Sequence, residues 1–260
     1  LERLAESGRC KALEVWAFFY YKIGPFSRKT IWNEIISSRH GDAIKLDHLL
    51  FVCLYSKRKT KGRDGGYLMS RKEILLGNGA IALGLVESGC RMVTSYPGTP
   101  SSEILPEVVR LDKSQGLGIY TEWSTNEKVA LDAAFAASIS GKRAACCMKQ
   151  VGLNVAADSL MSTAYQGVVG GMVIISCDDP GPHSSQTEQD TRFMARLAKV
   201  PVLDPSNPQE AREMVGIAME ISEEFRLPVI LRPAIRVCHA RQNMTIHPIK
   251  KNGRQASFSR

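Results

Sequence analysis

The chain has 260 residues, 44% hydrophobic and 23% charged, a balance that supports a buried core and excludes a disordered or collagen-like chain. No run of about 18 apolar residues is present to cross a bilayer. The formal charge of +8 is concentrated at the ends: residues 1–68 hold 13 basic against 7 acidic side chains, residues 241–260 hold 5 against none, and residues 69–240 hold 16 against 19. The body is therefore mildly acidic and carries no recognised nucleic-acid motif, so neither nucleic acid nor membrane is expected as a partner. Cys10, Cys53, Cys90, Cys146, Cys147, Cys177 and Cys238 follow no CxxC spacing and no disulfide rhythm. They are expected as reduced thiols in a cytoplasmic protein, with no cysteine-held zinc or iron–sulfur centre in this chain.

Residues 1–68 form a poorly specified extension, with an aromatic cluster at Trp16–Tyr21 and a basic one at Lys57–Lys61. A helical appendage and a membrane-surface anchor are both open readings. A third is that this stretch is not native coding sequence: Gly65-Gly66 can be encoded GGAGGT, a ribosome-binding sequence just ahead of Met69. Translation is then expected to begin at Met69. The chain accordingly divides into residues 1–68, a folded domain over 69–240, and a basic tail or linker start over 241–260.

From residue 73, short Val- and Ile-rich runs alternate with helix-period stretches, which predicts an α/β fold, a doubly wound and mostly parallel sheet with helices on both faces. Strands are expected at 91–95, 117–121, 143–148, 171–177, 200–203 and 228–232. Helices are expected at 79–88, closed by Gly89; at 101–112, opened by Ser101-Ser102; at 125–139, capped by Thr125; and at 207–224, where Asn207 caps and Pro208 takes the first helical position. In such sheets ligands gather at the carboxyl ends of strands.

Four segments follow those strand ends. Tyr96-Pro97-Gly98-Thr99-Pro100-Ser101-Ser102-Glu103 is a rigid turn leading to a helix N-terminus, where an anion can bind or a simple cap can form. Glu127 falls in the first turn of the next helix, a position that favours the helix dipole in its own right. Lys149-Gln150-Val151-Gly152-Leu153-Asn154 places a glycine at a strand end, either for close approach or for a turn. The segment Asp178 to Asp190 contains His183, but its His and carboxylate spacing matches no metal-ligand box, so no metal site is expected.

Taken in order, LLGNGAIALGLVESG, SYPGTPSSEI, EWSTNEKVALDAA, MKQVGLNVAADSLM, DDPGPHSSQTEQDTR, AKVPVLDPSNPQEA and LPVILRP resemble the N-terminal part of indolepyruvate:ferredoxin oxidoreductase alpha subunits, over residues 73–240. These are thiamine-diphosphate-dependent 2-oxoacid:ferredoxin oxidoreductases, and the resemblance implies the domain that holds the aminopyrimidine half of the cofactor. It gives Glu127 the catalytic role of hydrogen-bonding ring nitrogen N1′, a proton exchange that an amide cannot make. It implies that Thr99 meets the substrate carboxylate, that His183 faces the substrate entrance, and that Pro97, Gln150, Gly152 and Asn154 line the cofactor. One departure is Gly79, where relatives usually carry an acidic residue in GNEA, which puts helix packing or a subunit contact in question. The sequence has no GDG motif, so the cofactor's diphosphate with its magnesium, and the family's iron–sulfur clusters, are expected on other domains. The implied partners are a diphosphate-binding domain, a beta subunit, ferredoxin, coenzyme A and a 2-oxoacid, and the chain is expected to be inactive alone. A non-catalytic domain that binds a partner, or an enzyme for a different 2-oxoacid, is the alternative.

Overall fold

A computed structural model describes residues 71–249 of the chain, which fall in the second of two units, Tyr67–Arg260. The expectations for residues 1–68, including the start at Met69, lie outside the described residues. The elements in order are β1 (Arg71–Leu76), α1 (Gly77–Glu87), β2 (Met92–Ser95), α2 (Ile104–Gln115), β3 (Tyr120–Trp123), α3 (Glu127–Ile139), β4 (Ala144–Lys149), α4 (Gln150–Val155), α5 (Ala157–Gln166), β5 (Met172–Cys177), α6 (Thr191–Ala198), β6 (Val202–Leu203), α7 (Pro208–Phe225), β7 (Val229–Leu231), α8 (Ile235–Cys238) and β8 (Arg241–Ile246).

Six strands form one sheet in the order β3-β2-β4-β5-β7-β6, and every pairing in it is parallel. Its central strands β4 and β5 are mostly apolar because both faces are covered. Ala145 and Cys147 of β4, with Val173, Ile175 and Cys177 of β5, pack under α1, α2 and α7. Ala144, Cys146 and Met148, with Met172 and Ile174, pack under α3, α5 and α6 on the other face. The fold is the doubly wound α/β arrangement expected from the sequence.

The packing of α1 on α7 needs a glycine: a Cβ on Gly84 would stand 2.6 Å from the Arg212 carbonyl oxygen. Around that approach Arg212 bonds both carboxylate oxygens of Glu87, at 2.7 and 2.6 Å. Gly79, the departure within α1, is buried, and a Cβ there would meet only the Glu107 side chain of α2, 3.8 Å away. An acidic side chain at 79 would set a second carboxylate against Glu107, so the glycine suits this neighbour.

Several boundaries differ from expectation. The helix expected at 101–112 begins only at Ile104, because Ser101–Glu103 form a turn in which the Ser101 amide and hydroxyl both donate to the Gly98 carbonyl at 2.8 Å. The cap of α3 is Asn126 and not Thr125: its side chain accepts from the Val129 amide at 2.9 Å. Strand β3 lies two to three residues later than expected, since Gly116 and Gly118 take left-handed backbone conformations and delay the extended run. The tail expected from residue 241 opens as a strand: β8 pairs antiparallel with β1, Arg71 opposite Ile246 and Leu76 opposite Arg241. Asn207 and Pro208 open α7 as expected, with the Asn207 side chain accepting from the Glu210 amide at 3.0 Å.

Candidate active site

The connections after β2, β3, β4 and β5 converge at one end of the sheet, and side chains tie three of them together. Beyond β2, Pro97 and Thr99 are exposed on a turn with a cis peptide between Thr99 and Pro100. Its far side is fastened by Asn78, fully buried at the start of α1, whose amide donates to the Pro100 carbonyl at 2.7 Å and to Glu103 at 2.6 Å. Sequence reading missed Asn78; a polar residue directly after a strand and inside an apolar helix was the available signal. It also placed Thr99 at a helix N-terminus. Thr99 instead lies five residues ahead of Ile104, and the amides of Ser101 and Ile104 are already bonded within the turn.

Glu127 is the first residue of α3 and only 7% exposed. Among the described residues its carboxylate has no hydrogen-bond or ion-pair partner. It lies directly over the backbone of Gly152 in α4: a Cβ on that glycine would stand 2.5 Å from Glu127 Oε1 and 2.7 Å from its Cγ. The same helix carries Gln150, fully buried, whose Oε1 is likewise unpartnered while its Nε2 donates to the Thr187 carbonyl at 3.1 Å. Buried polar atoms without partners cost free energy and are uncommon in folded proteins. Gln150 Oε1 is such an atom, and with the nearly buried, unpartnered Glu127 carboxylate on the start of the neighbouring helix it fits a polar ligand that donates hydrogen bonds to both. Beneath them, burial pushes the Cys146 thiol up to about 12, and the Glu127 charge adds to the effect.

The segment after β5 closes over α4. Gln186 accepts from Lys149 Nζ at 2.9 Å, Gln189 Nε2 donates to the Gln150 carbonyl at 3.1 Å, and Asn154 Nδ2 donates to Gln189 Oε1 at 2.8 Å. Asn154 is exposed and braces this segment. Lys149, the last residue of β4, was not singled out by sequence reading, although a lysine ending the apolar run Ala-Ala-Cys-Cys-Met is a conspicuous change of character.

Two aspartates fix the ends of that segment. Asp178 is fully buried and accepts from the Thr191 hydroxyl, from the Thr191 amide at 3.0 Å and from Arg232 Nε at 2.7 Å. Burial pushes its carboxyl above the usual range despite these partners. Arg232 also donates to Asp204 at 3.0 Å. Asp179 accepts the amides of His183, Ser184 and Ser185 on one oxygen, at 3.0, 2.8 and 3.0 Å. Burial alone would raise this carboxyl, but the backbone donors prevail and hold it at about 2 against an ordinary 3.8. The bonds thus add stability that is complete above about pH 4 and is lost as pH falls through about 2. Asp179→Asn is expected to speed hydrogen exchange at the amides of residues 183–185 about tenfold at neutral pH, the scale for hydrogen bonds to a charged group, and to flatten acid unfolding between pH 4 and 2. Unchanged protection in the variant would show that the aspartate does not hold the segment.

His183 has its side chain 61% exposed, with Nδ1 3.3 Å from Asp179 Oδ1. Among the described residues it makes no hydrogen bond to Glu127 or to the Thr99 turn. The structure therefore brings Glu127, Gly152, Gln150 and Asn154 together, sets Pro97 and Thr99 on the adjoining turn, and leaves His183 on the rim. Among the described residues no three His, Cys, Asp or Glu side chains could hold a metal ion, and no helix is long and apolar enough to cross a membrane.

The family described as pyruvate flavodoxin/ferredoxin oxidoreductase, thiamine diphosphate-binding, matches residues 83–257. Indolepyruvate oxidoreductase subunit IorA of Methanothermobacter marburgensis is 56% identical over 167 residues, covering 64% of this chain and 27% of that protein. The IorA subunit of Thermococcus kodakarensis is 52% identical, covering 66% and 26%. The 2-oxoglutarate synthase subunit KorA of Methanothermobacter thermautotrophicus is 28% identical, covering 68% and 48%. In three dimensions the chain is similar to a 2-oxoglutarate:ferredoxin oxidoreductase from Magnetococcus marinus, with a TM-score of 0.60 at 21% identity, covering 66% of this chain and 31% of that one. The chain spans about a quarter of the length of the IorA relatives.

Proposed function

Since the chain belongs to the thiamine diphosphate-binding family of pyruvate flavodoxin/ferredoxin oxidoreductases, we propose that it forms the pyrimidine-binding part of an enzyme that oxidatively decarboxylates arylpyruvates, indolepyruvate foremost. In that reaction a 2-oxoacid and coenzyme A give acyl-coenzyme A and carbon dioxide, and two electrons pass to ferredoxin. The observation that carries this reading is the buried, unpartnered Glu127 carboxylate resting on Gly152. Glu127 exchanges a proton with ring nitrogen N1′ of the aminopyrimidine, and the unpartnered Gln150 Oε1 accepts from an amino group. Gly152 holds Glu127 in place, Pro97 and Thr99 border the reacting centre, Asn154 braces the segment that closes over it, and His183 stands at the entrance. Thiamine diphosphate, when bound, supplies the carbon nucleophile that adds to the 2-oxo group.

The diphosphate with its magnesium belongs to a further domain, and the iron–sulfur clusters to other parts of the assembly that includes a beta subunit. Support for a covering domain comes from apolar side chains exposed on the elements next to and carrying Glu127 and Gly152: Trp123 (end of β3) at 45%, Val129 (in α3) at 42% and Val155 (end of α4) at 51%. The preference for arylpyruvates rests on the much higher identity to IorA than to KorA, and a cytoplasmic location, with oxidised ferredoxin as the electron acceptor, goes with this function. The chain, reconstituted with a diphosphate-binding domain and a beta subunit, is expected to bind thiamine diphosphate in calorimetry. It is also expected to reduce a viologen dye faster with indolepyruvate than with pyruvate or 2-oxoglutarate when coenzyme A is present. Thiamine diphosphate binding with the opposite substrate order reassigns the oxoacid. No thiamine diphosphate binding at all returns the chain to a non-catalytic, partner-binding role.

A further inference from the structure

Lys149 sits where the sheet divides. β2 and β4 are neighbours, but the chain leaves β2 through α2 on one face and leaves β4 through α4 and α5 toward the other. Divergence of this kind opens a crevice at the carboxyl ends of the two strands. In register, Ser95 at the end of β2 lies opposite Cys147, so Lys149 projects two residues beyond its neighbour into that crevice. Its stem lies across the Tyr96–Pro100 turn: a Cβ on Gly98 would stand 3.0 Å from both Cγ and Cδ of Lys149. The residue after Gly98 is Thr99. On its other side Lys149 leads directly into α4, whose Gly152 carries the Glu127 carboxylate.

Lys149 as a whole is half-buried, and its ammonium makes an exposed hydrogen bond to the amide oxygen of Gln186, a neutral partner. Among the described residues it has no carboxylate partner. Two nearby arginines differ: Arg232, just after β7, is paired with Asp178 and Asp204, and Arg192, in the first turn of α6, with Asp190. An ammonium offers three donors, and this one engages a single amide. A 2-oxoacid is an anion whose carboxylate is bonded to the reacting carbon, so its counter-charge must lie within the same crevice as the acid that serves the cofactor. Charge, position and the unspent donors all meet at Lys149. Resting on the function proposed above, we propose that Lys149 binds the substrate carboxylate and, beside Thr99, orients the 2-oxo group.

The test uses the chain reconstituted with its diphosphate-binding domain and beta subunit, loaded with thiamine diphosphate. Calorimetry compares indole-3-propionate, a carboxylate without the oxo group, with the neutral indole-3-propionamide. The wild type is expected to prefer the acid by about 10- to 100-fold, the range for a charge-assisted hydrogen bond. Lys149→Met should erase the preference, Lys149→Arg should retain part of it, and Gln186→Ala, which frees the ammonium, should leave it in place. The KM for indolepyruvate should rise about 10- to 100-fold in Lys149→Met, with kcat changed less than KM. The inference is overturned if the wild type binds both ligands equally or binds neither, if Lys149→Met keeps the preference, or if Gln186→Ala loses it as fully as Lys149→Met does. Failure of thiamine diphosphate to bind would overturn the functional reading itself. Intact binding, with turnover that needs Glu127 but a carboxylate preference indifferent to Lys149, would remove this inference alone.

Discussion

Glu127→Gln is expected to lower turnover of the reconstituted enzyme by about 10²- to 10⁴-fold, the span for loss of a positioned proton-transfer group, while the melting temperature holds steady or rises slightly. Two effects bear on stability. The carboxylate at the first position of α3 gains about 0.3 to 1 kcal/mol from the helix dipole, which the amide gives up. Against that, the side chain is nearly buried and no hydrogen bond or ion pair holds it among the described residues, so a neutral group of the same shape breaks no bond and is the easier group to bury. The two act in opposite directions, so the fold should not suffer. A purely dipolar glutamate would give the reverse pattern, a modest fall in melting temperature with turnover untouched. Thermal unfolding and dye-reduction rates measured on one preparation separate the two accounts, and normal turnover in the variant would end the assignment of Glu127.

The fold could be read in advance because its signals are local. Continuous apolar runs such as Ala144–Met148 and Met172–Ile175 mark strands covered on both faces, and Asn207 with Pro208 marks a helix start. Misplaced boundaries fell where a local signal had two outlets. Thr125 and Asn126 both suit a cap, and the choice is made by which side chain reaches the Val129 amide. Ser101 and Ser102 suit a cap equally well, but their hydroxyls are spent on Gly98. The strands β1 and β8 are half-exposed and stabilise each other across 165 residues of sequence separation counted from Leu76 to Arg241, so neither segment alone announces a strand. The site divides in the same way. Glu127 stood out through its motif, whereas the Gln186, Gln189 and Asn154 braces are polar side chains in polar segments, distinguished only by what the tertiary structure places opposite them.

Gly152→Ala is the second substitution with a large expected effect, and it separates two roles that the sequence leaves merged. Alanine suits a right-handed helical backbone, and the exchange would ordinarily favour the helix by about 0.5 to 1 kcal/mol. Here the added methyl would fall 2.5 Å from Glu127 Oε1, 2.7 Å from Cγ and 2.9 Å from Cδ, distances no Cβ tolerates. The Glu127 side chain must therefore swing away, and a displacement of about 1 Å at a proton-transfer group is enough to cost about 10²-fold in rate. The overall fold should persist, since Glu127 gives up no hydrogen bond in moving. If Gly152 acts through Glu127, the double variant with Glu127→Gln should be no slower than Glu127→Gln alone, because residues that act as a unit are not additive. If Gly152 instead serves the cofactor directly, the two losses should multiply and thiamine diphosphate binding should weaken even with glutamine at 127. Kinetics of the two single variants and the double variant, with cofactor affinity measured beside them, decide between the roles; full additivity would show that the contact between Glu127 and Gly152 is incidental to catalysis.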